Sequence, residues 1–317
     1  MIDRPLRIGI SACLLGQEVR FDGGHKRDAF LTKVLGPCVE YVPVCPEVEM
    51  GLGTPRETLR LVRQPAGLRM VTTRTGIDHT DGMQRWSKRR LSELEHEELS
   101  GYVLKKDSPS CGMERVKTYG AATMPARDGR GIFAAVLLER YPLLPVEEEG
   151  RLSDPILREN FIERIFAYRR LRDLFAGRWT PGALVAFHTA HKTSLLSHST
   201  TAYNELGRLV ARAGRLPRAE LRHGYEALFM QTLAKPATRA RHTNVLHHMA
   251  GHLKKALDAA SRGELASCID EYRRGMVPLV VPLTLIRHYV RLHRVAYLEG
   301  QVYLEPHPRE LMLRNHV

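Results

Sequence analysis

The stretch LRIGISACLLG, residues 6–16, carries an apolar, alternating run directly into Cys13. Two later stretches repeat the plan. EYVPVCPE (40–47) leads Val42 and Val44 into Cys45, and GYVLKKDSPSCG (101–112) leads Val103 and Leu104 towards Cys111. Short β-branched or apolar runs closed by Gly, Pro or Ser read as strands entering loops. If the three strands are parallel neighbours, their cysteines converge, because open α/β sheets place their sites beyond the carboxyl ends of the strands. The expected fold is an α/β, Rossmann-like parallel-sheet N-terminal domain with the three thiols at one edge.

The segments between these strands are less regular. VRFDGGHKRDAF (19–30) has a Gly-Gly turn followed by a helix expected from about Lys26 to Leu35. His25 and Lys26 are substrate-binding candidates there, since a flexible basic loop suits an anion, and Asp22 in the DGG turn is a further one that would orient a base or hold the loop. Neither GxGxxG nor GxxxxGK[ST] spacing is present, so no nucleotide fingerprint can be claimed. After Cys45, Pro46 fixes the backbone, and Glu47 and Glu49 sit in a glycine-rich stretch that is a poor pattern for a continuous helix. Leu59–Val62 and Leu68–Thr72 read as a hairpin, 80–99 as a helix and Ile132–Leu138 as another. The acidic, Gly- and Pro-containing run 146–155 reads as a linker, giving domains 1–147 and 155–317.

Beyond it, apolar residues recur at three- and four-residue intervals between Gly and Pro punctuation, which predicts an all-α C-terminal domain of six or seven helices. A chain of 317 residues fits two domains better than one. Charge divides unevenly. Residues 1–150 hold 22 Lys+Arg against 21 Asp+Glu, residues 151–317 hold 26 against 14, so +12 of the +13 lies in the second half. Such a half attracts phosphorylated molecules or polyanions, or simply keeps its helices soluble. The longest apolar run, VPLVVPLTLI (277–286), is too short to span a bilayer. The opening MIDRPLRIGIS lacks the apolar core of a secretory signal, and five widely spaced cysteines argue against a disulfide framework. A cytoplasmic location with reduced thiols is expected.

Three thiolates at distant positions admit several chemistries: three corners of a [4Fe-4S] cluster, a zinc site with one further ligand, a redox or nucleophilic thiol, or unrelated buried cysteines. No close CxxC pair is present to favour zinc. Cys38 and Cys268 read as buried bystanders. Twelve of fifteen histidines fall in the second half, among them the spaced pairs His188/His191 and His248/His252, without an HExxH pattern.

SACLLGxxVRFDG with Cys13, PVCPE with Cys45 and Glu47, GLGTPRE, and SPSCG with Ser108 and Cys111 together resemble the bacterial 2-thiouracil desulfurase (TudS-like) family over residues 5–147. The resemblance implies a [4Fe-4S] cluster held by Cys13, Cys45 and Cys111 with one open iron. It also implies removal of sulfur from thiolated uracil without redox change, with Glu47 and Ser108 as catalytic residues. The expected partner is a thiolated pyrimidine base or nucleotide, with no membrane; RNA is less favoured. FHTAHKTSLLSHS (187–199) resembles the YbgA-type domain of uncharacterised function, and its His188 and Lys192 are further substrate-binding candidates. The competing reading is an RNA-binding or adaptor protein with a structural metal site, supported by the basic second half alone.

Overall fold

The computed structural model describes residues 5–65, 67–120 and 124–315; the first four residues of the opening stretch, and the last two of the predicted helical domain, lie outside them. The chain divides into two compact units, Met1–Ser153 and Asp154–Val317.

In the first unit, β1 (Leu6–Ser11) is followed by β2 (Val39–Val44) and the single-turn helix α1 (Pro46–Glu49). Next come β3 (Leu59–Gln64), β4 (Gly67–Thr72) and helix α2 (Thr80–Leu94). Strands β5 (Gly101–Leu104), β6 (Val116–Tyr119) and β7 (Ala126–Gly129) precede helix α3 (Ile132–Arg140) and β8 (Val146–Glu148). The main sheet has the order β2-β1-β5-β8, every pair parallel. This is the expected Rossmann-like arrangement. β1 and β5 are buried on both faces, which is why they read as near-continuous apolar runs. Gly9 makes room for the buried Tyr102 ring: a Cβ there would lie 2.2 Å from it. Tyr102 in turn meets Phe133 of α3, which packs on Trp86 of α2.

A second sheet, β4-β3-β6-β7, grows from the two long connections that leave β2 and β5. Its hairpin β3–β4 is antiparallel as expected, whereas β6 and β7 were not anticipated. Both connections start at the strand ends that carry Cys45 and Cys111, so this sheet is built beside the site.

Two sequence expectations need correction. The helix predicted from Lys26 is shorter and wider, a π-helix over Phe30–Leu35; residues 24–28 form an irregular segment, Lys26 and Asp28 donating their N–H groups to the carbonyls of Cys13 and Leu14. Val146–Glu148, read as linker, is the edge strand of the main sheet. Its acids are buried but partnered: Arg151 Nε donates to Glu147 at 2.6 Å, and Met113 N donates to Glu148 at 2.6 Å.

The second unit is helical: α4 (Pro155–Phe175), α5 (Pro181–His198), α6 (Thr200–Ala211), α7 (Arg218–Leu233), α8 (Arg239–Leu253), α9 (Ala259–Arg274), α10 (Val280–His293) and the turn α11 (Ala296–Glu299). Asp154, Thr180, Ser199, Thr238 and Asp258 cap five of these N-termini with side-chain oxygens, and Pro155 and Pro181 occupy first-turn positions where no N–H is missed. Among the described residues no helix is long and apolar enough to cross a membrane.

Candidate active site

The parallel register brings Ser11, Val44 and Leu104 to one end of the main sheet, β1 being central to β2 and β5. Cys13 follows Ser11 on a 3-10 turn, Ala12–Leu15, that closes at Gly16 in a left-handed conformation (φ 95°). Cys45 caps α1. Cys111 lies in the SPSCG turn after β5. All three line one cavity of about 330 Å³, together with Glu47, Lys26 and Ser108. The convergence expected from the strand ends is therefore present.

Cys13 and Cys111 are buried and Cys45 is half-buried. Burial pushes Cys13 up to about 11, with Lys105 opposing and Cys45 adding to the rise. Burial likewise raises Cys45, the backbone at Val48 opposing and the Glu47 charge reinforcing it. Cys111 is driven well above the thiol range by burial; a hydrogen bond from Ser11 offsets part of this, while Glu47 and the other two cysteines add to it. Such a group is costly to ionise without a cation, and thiolate is the form that binds metal. Among the described residues no three His, Cys, Asp or Glu side chains gather around a single-ion position. The three thiols line the same cavity. A soft, polynuclear iron-sulfur group with one iron per thiolate fits this donor set.

Glu47 is held from both of its carboxylate oxygens. Its Oε2 accepts from Arg56 Nε at 2.8 Å and Nη2 at 2.5 Å, and its Oε1 accepts from Ser110 Oγ at 2.5 Å. Arg56 is itself anchored by the carbonyls of Val19 and Gly53, both at 3.0 Å. Ser108 has a different task from the one its neighbour performs: its Oγ accepts the N–H groups of Ser110 (3.2 Å) and Cys111 (3.1 Å), shaping the turn while facing the cavity. Ser110, fully buried, is the hydroxyl on Glu47, and sequence reasoning missed it; two serines in one SPSCG run look equivalent until the turn is folded. The turn rests on the start of α3, where Ile132 N and Ala134 N donate to Pro109 O and Ser110 O.

The remaining candidates scatter. Lys26 lines the cavity. Asp22 is exposed and lies outside the cavity wall, where it accepts from Gly24 N at 3.1 Å and pairs with Arg20, a lining residue, at 3.4 Å. His25 is exposed, its Nδ1 accepting from Arg27 N. His188 and Lys192 belong to α5 of the helical unit. His188 is only 3% exposed and shares a 3.2 Å hydrogen bond with Tyr225, which makes it a core residue with no face open to a ligand. His248 and His252 stack edge to face, 5.1 Å apart. Cys38 and Cys268 are half-buried and not core residues.

This combination, a parallel α/β unit with three cysteines and a clamped glutamate at one sheet end, defines the class: an α/β protein with a cysteine-lined cavity beyond the carboxyl ends of its strands. The 2-thiouracil desulfurase family matches residues 8–149, and a family described as a protein of unknown function (DUF1722) matches residues 192–308. The chain is 39% identical over 153 residues to the uncharacterized protein YbgA of Escherichia coli K12, covering 48% of this chain and 90% of that protein. It is 29% identical over 133 residues to the uncharacterized protein YbbK of Bacillus subtilis 168, covering 40% and 87%. A solved structure described as a [4Fe-4S]-dependent thiouracil desulfidase, TudS, shares 32% identity, covers 47% of this chain and 93% of its own, and superposes with a TM-score of 0.39. The chain belongs to the 2-thiouracil desulfurase family through its α/β unit, and carries a YbgA-type helical domain behind it.

Proposed function

We propose that the protein is a [4Fe-4S]-dependent, non-redox desulfurase that exchanges the thiocarbonyl sulfur of a thiolated uracil for oxygen from water. The observation that carries this reading is the set of three thiols lining a cavity that also holds a clamped carboxylate. Cys13, Cys45 and Cys111 would hold the cluster, which when bound supplies a Lewis-acidic iron with an affinity for sulfur.

The chain's own residues do the rest. Glu47 takes a proton from the water that adds to the ring carbon, a general-base role that demands a fixed carboxylate. Arg56 and Ser110 fix it from both oxygens. Ser108 spends its lone pairs on two backbone N–H groups, leaving its proton free to donate to the substrate. Thiouracil and water give uracil and hydrogen sulfide, with no electrons exchanged. Lys26 and Arg20 in the cavity wall favour a substrate bearing phosphate, such as 4-thio-UMP, over the free bases 2-thiouracil and 4-thiouracil. An iron-sulfur group and free thiols suit a reducing compartment, the cytoplasm.

The test is anaerobic reconstitution with iron and sulfide, followed by sulfide release from those three substrates. Turnover that depends on the cluster is expected. A fully loaded protein that releases sulfide from none of them overturns the reading.

A further inference from the structure

A second cavity, of about 180 Å³, lies within the helical unit, between α10 and the segment 304–315. Its floor is apolar, formed by Val280, Leu283 and Leu304. Its polar wall is dominated by arginines, Arg287 from α10 and Arg309 and Arg314 from the C-terminal segment, with His307 beside them.

The carboxylates nearby are already engaged. Glu159 accepts from Arg314 Nε at 3.1 Å and meets His307 Nε2 at 3.2 Å. Glu305, the one acid in the described wall, pairs with Arg309. Arg287 is left with only a 3.0 Å hydrogen bond to the Thr284 hydroxyl, and no carboxylate lies within ion-pair distance of it among the described residues. Arg314, 6% exposed, keeps one buried guanidinium nitrogen, Nη2, without a hydrogen-bond partner. Burial first, then the charges of Arg309, Arg314 and Arg291, push Arg287 below the usual guanidinium range, with Glu305 alone opposing. Like charges crowded over an apolar floor repel strongly because the local dielectric is low. A guanidinium cluster with spare donors matches the geometry of phosphate oxygens. The volume falls below the roughly 300–1,000 Å³ of pockets for drug-sized ligands, so it suits one group and not a whole cofactor.

We propose that this cavity is a binding site for a phosphate-type oxyanion, either free phosphate or the phosphate of a nucleotide, with Arg287 as its principal ligand. The site is independent of the desulfurase chemistry and stands whether or not that reading holds.

The experiment uses the full chain. Hydrogen exchange of the amides in residues 302–315 and calorimetric titration are followed with inorganic phosphate, UMP and uridine. Phosphate slows exchange in 302–315, uridine does not, and Arg287→Gln weakens the effect roughly tenfold or more, as expected for a lost charge-assisted hydrogen bond. UMP protecting as well as phosphate identifies a nucleotide source; UMP failing where phosphate succeeds identifies the free ion. Should Arg287→Gln fold poorly, the exposed Arg309→Gln gives the same comparison. No phosphate-dependent protection of 302–315 in the wild type, or equal protection in folded variants, overturns the proposal.

Discussion

Glu47 has both carboxylate oxygens occupied by side chains, one from nearby Arg56 and one from Ser110, 63 residues away. Replacing it with Gln retains the shape and removes the base. Glu47→Gln is expected to keep the visible absorbance of the reconstituted cluster while kcat falls about 10²–10⁴-fold. A colourless variant would show instead that Glu47 supports the metal group. Ser110→Ala removes one donor and leaves a nearly buried oxygen unpaired, which costs about 1–3 kcal/mol. We expect kcat to fall about tenfold or more while KM and the absorbance stay near the wild type, because Ser110 positions Glu47 and does not line the cavity. Steady-state kinetics decides this: a change confined to KM would place Ser110 on the substrate side. At this scale the shared cavity of Cys13, Cys45 and Cys111 was legible from the strand pattern, and Glu47 stood out only through the family motif. Ser110 was not, because its hydroxyl finds Glu47 only across 63 residues of sequence.

Among the elements, the SPSCG turn depends on the start of α3 as much as on its own sequence. Gly131, just ahead of that helix, has ordinary backbone angles (φ −61°), but a Cβ there would lie 2.4 Å from Ser110 O and 2.9 Å from Cys111 N. Gly131→Ala should therefore displace the turn, destabilise the α/β unit by about 1–3 kcal/mol and lower iron content. Chemical denaturation and iron analysis check this, and an unchanged iron content would show that the turn yields without moving Cys111. β1 and β5 were readable because burial on both faces forces continuous apolar residues, and β2 because Val42 and Val44 alternate with exposed positions ahead of Cys45. β6 and β7 were not, being four residues long with two or fewer residues buried in each. β8 hid behind three glutamates, an acidic signature that reads as linker until Arg151 and the Met113 amide are seen to neutralise it.

For the whole molecule, the helical unit carries a sensitivity to acid. Burial lowers His191 and His242 to about 3 and His188 to about 4, against an ordinary 6.5. These rings stay neutral in the native state, while the unfolded chain takes up protons as pH falls through about 6.5. The stability they contribute is thus complete above that pH and is lost between about 6.5 and 3–4, by up to about 1.4 kcal/mol per pH unit for each ring. Glu163, which burial alone would raise, is held below the carboxylate range by His198, and its contribution disappears in the same direction at lower pH. Thermal unfolding of the full chain between pH 7 and 4, with hydrogen exchange reporting on α5 and α8, should show this loss. His191→Gln should flatten the slope, and an unchanged slope would show that these rings titrate normally in the fold. The sequence by itself determined the parallel α/β unit, the helical second half and the three thiols at strand ends, because alternation, burial and turn residues are local properties of the chain. Only the tertiary structure decided which serine serves Glu47, how the buried acids of β8 are neutralised, that His188 is core, and where the arginines of the C-terminal segment gather. Each of those depends on partners that contact, not sequence spacing, brings together.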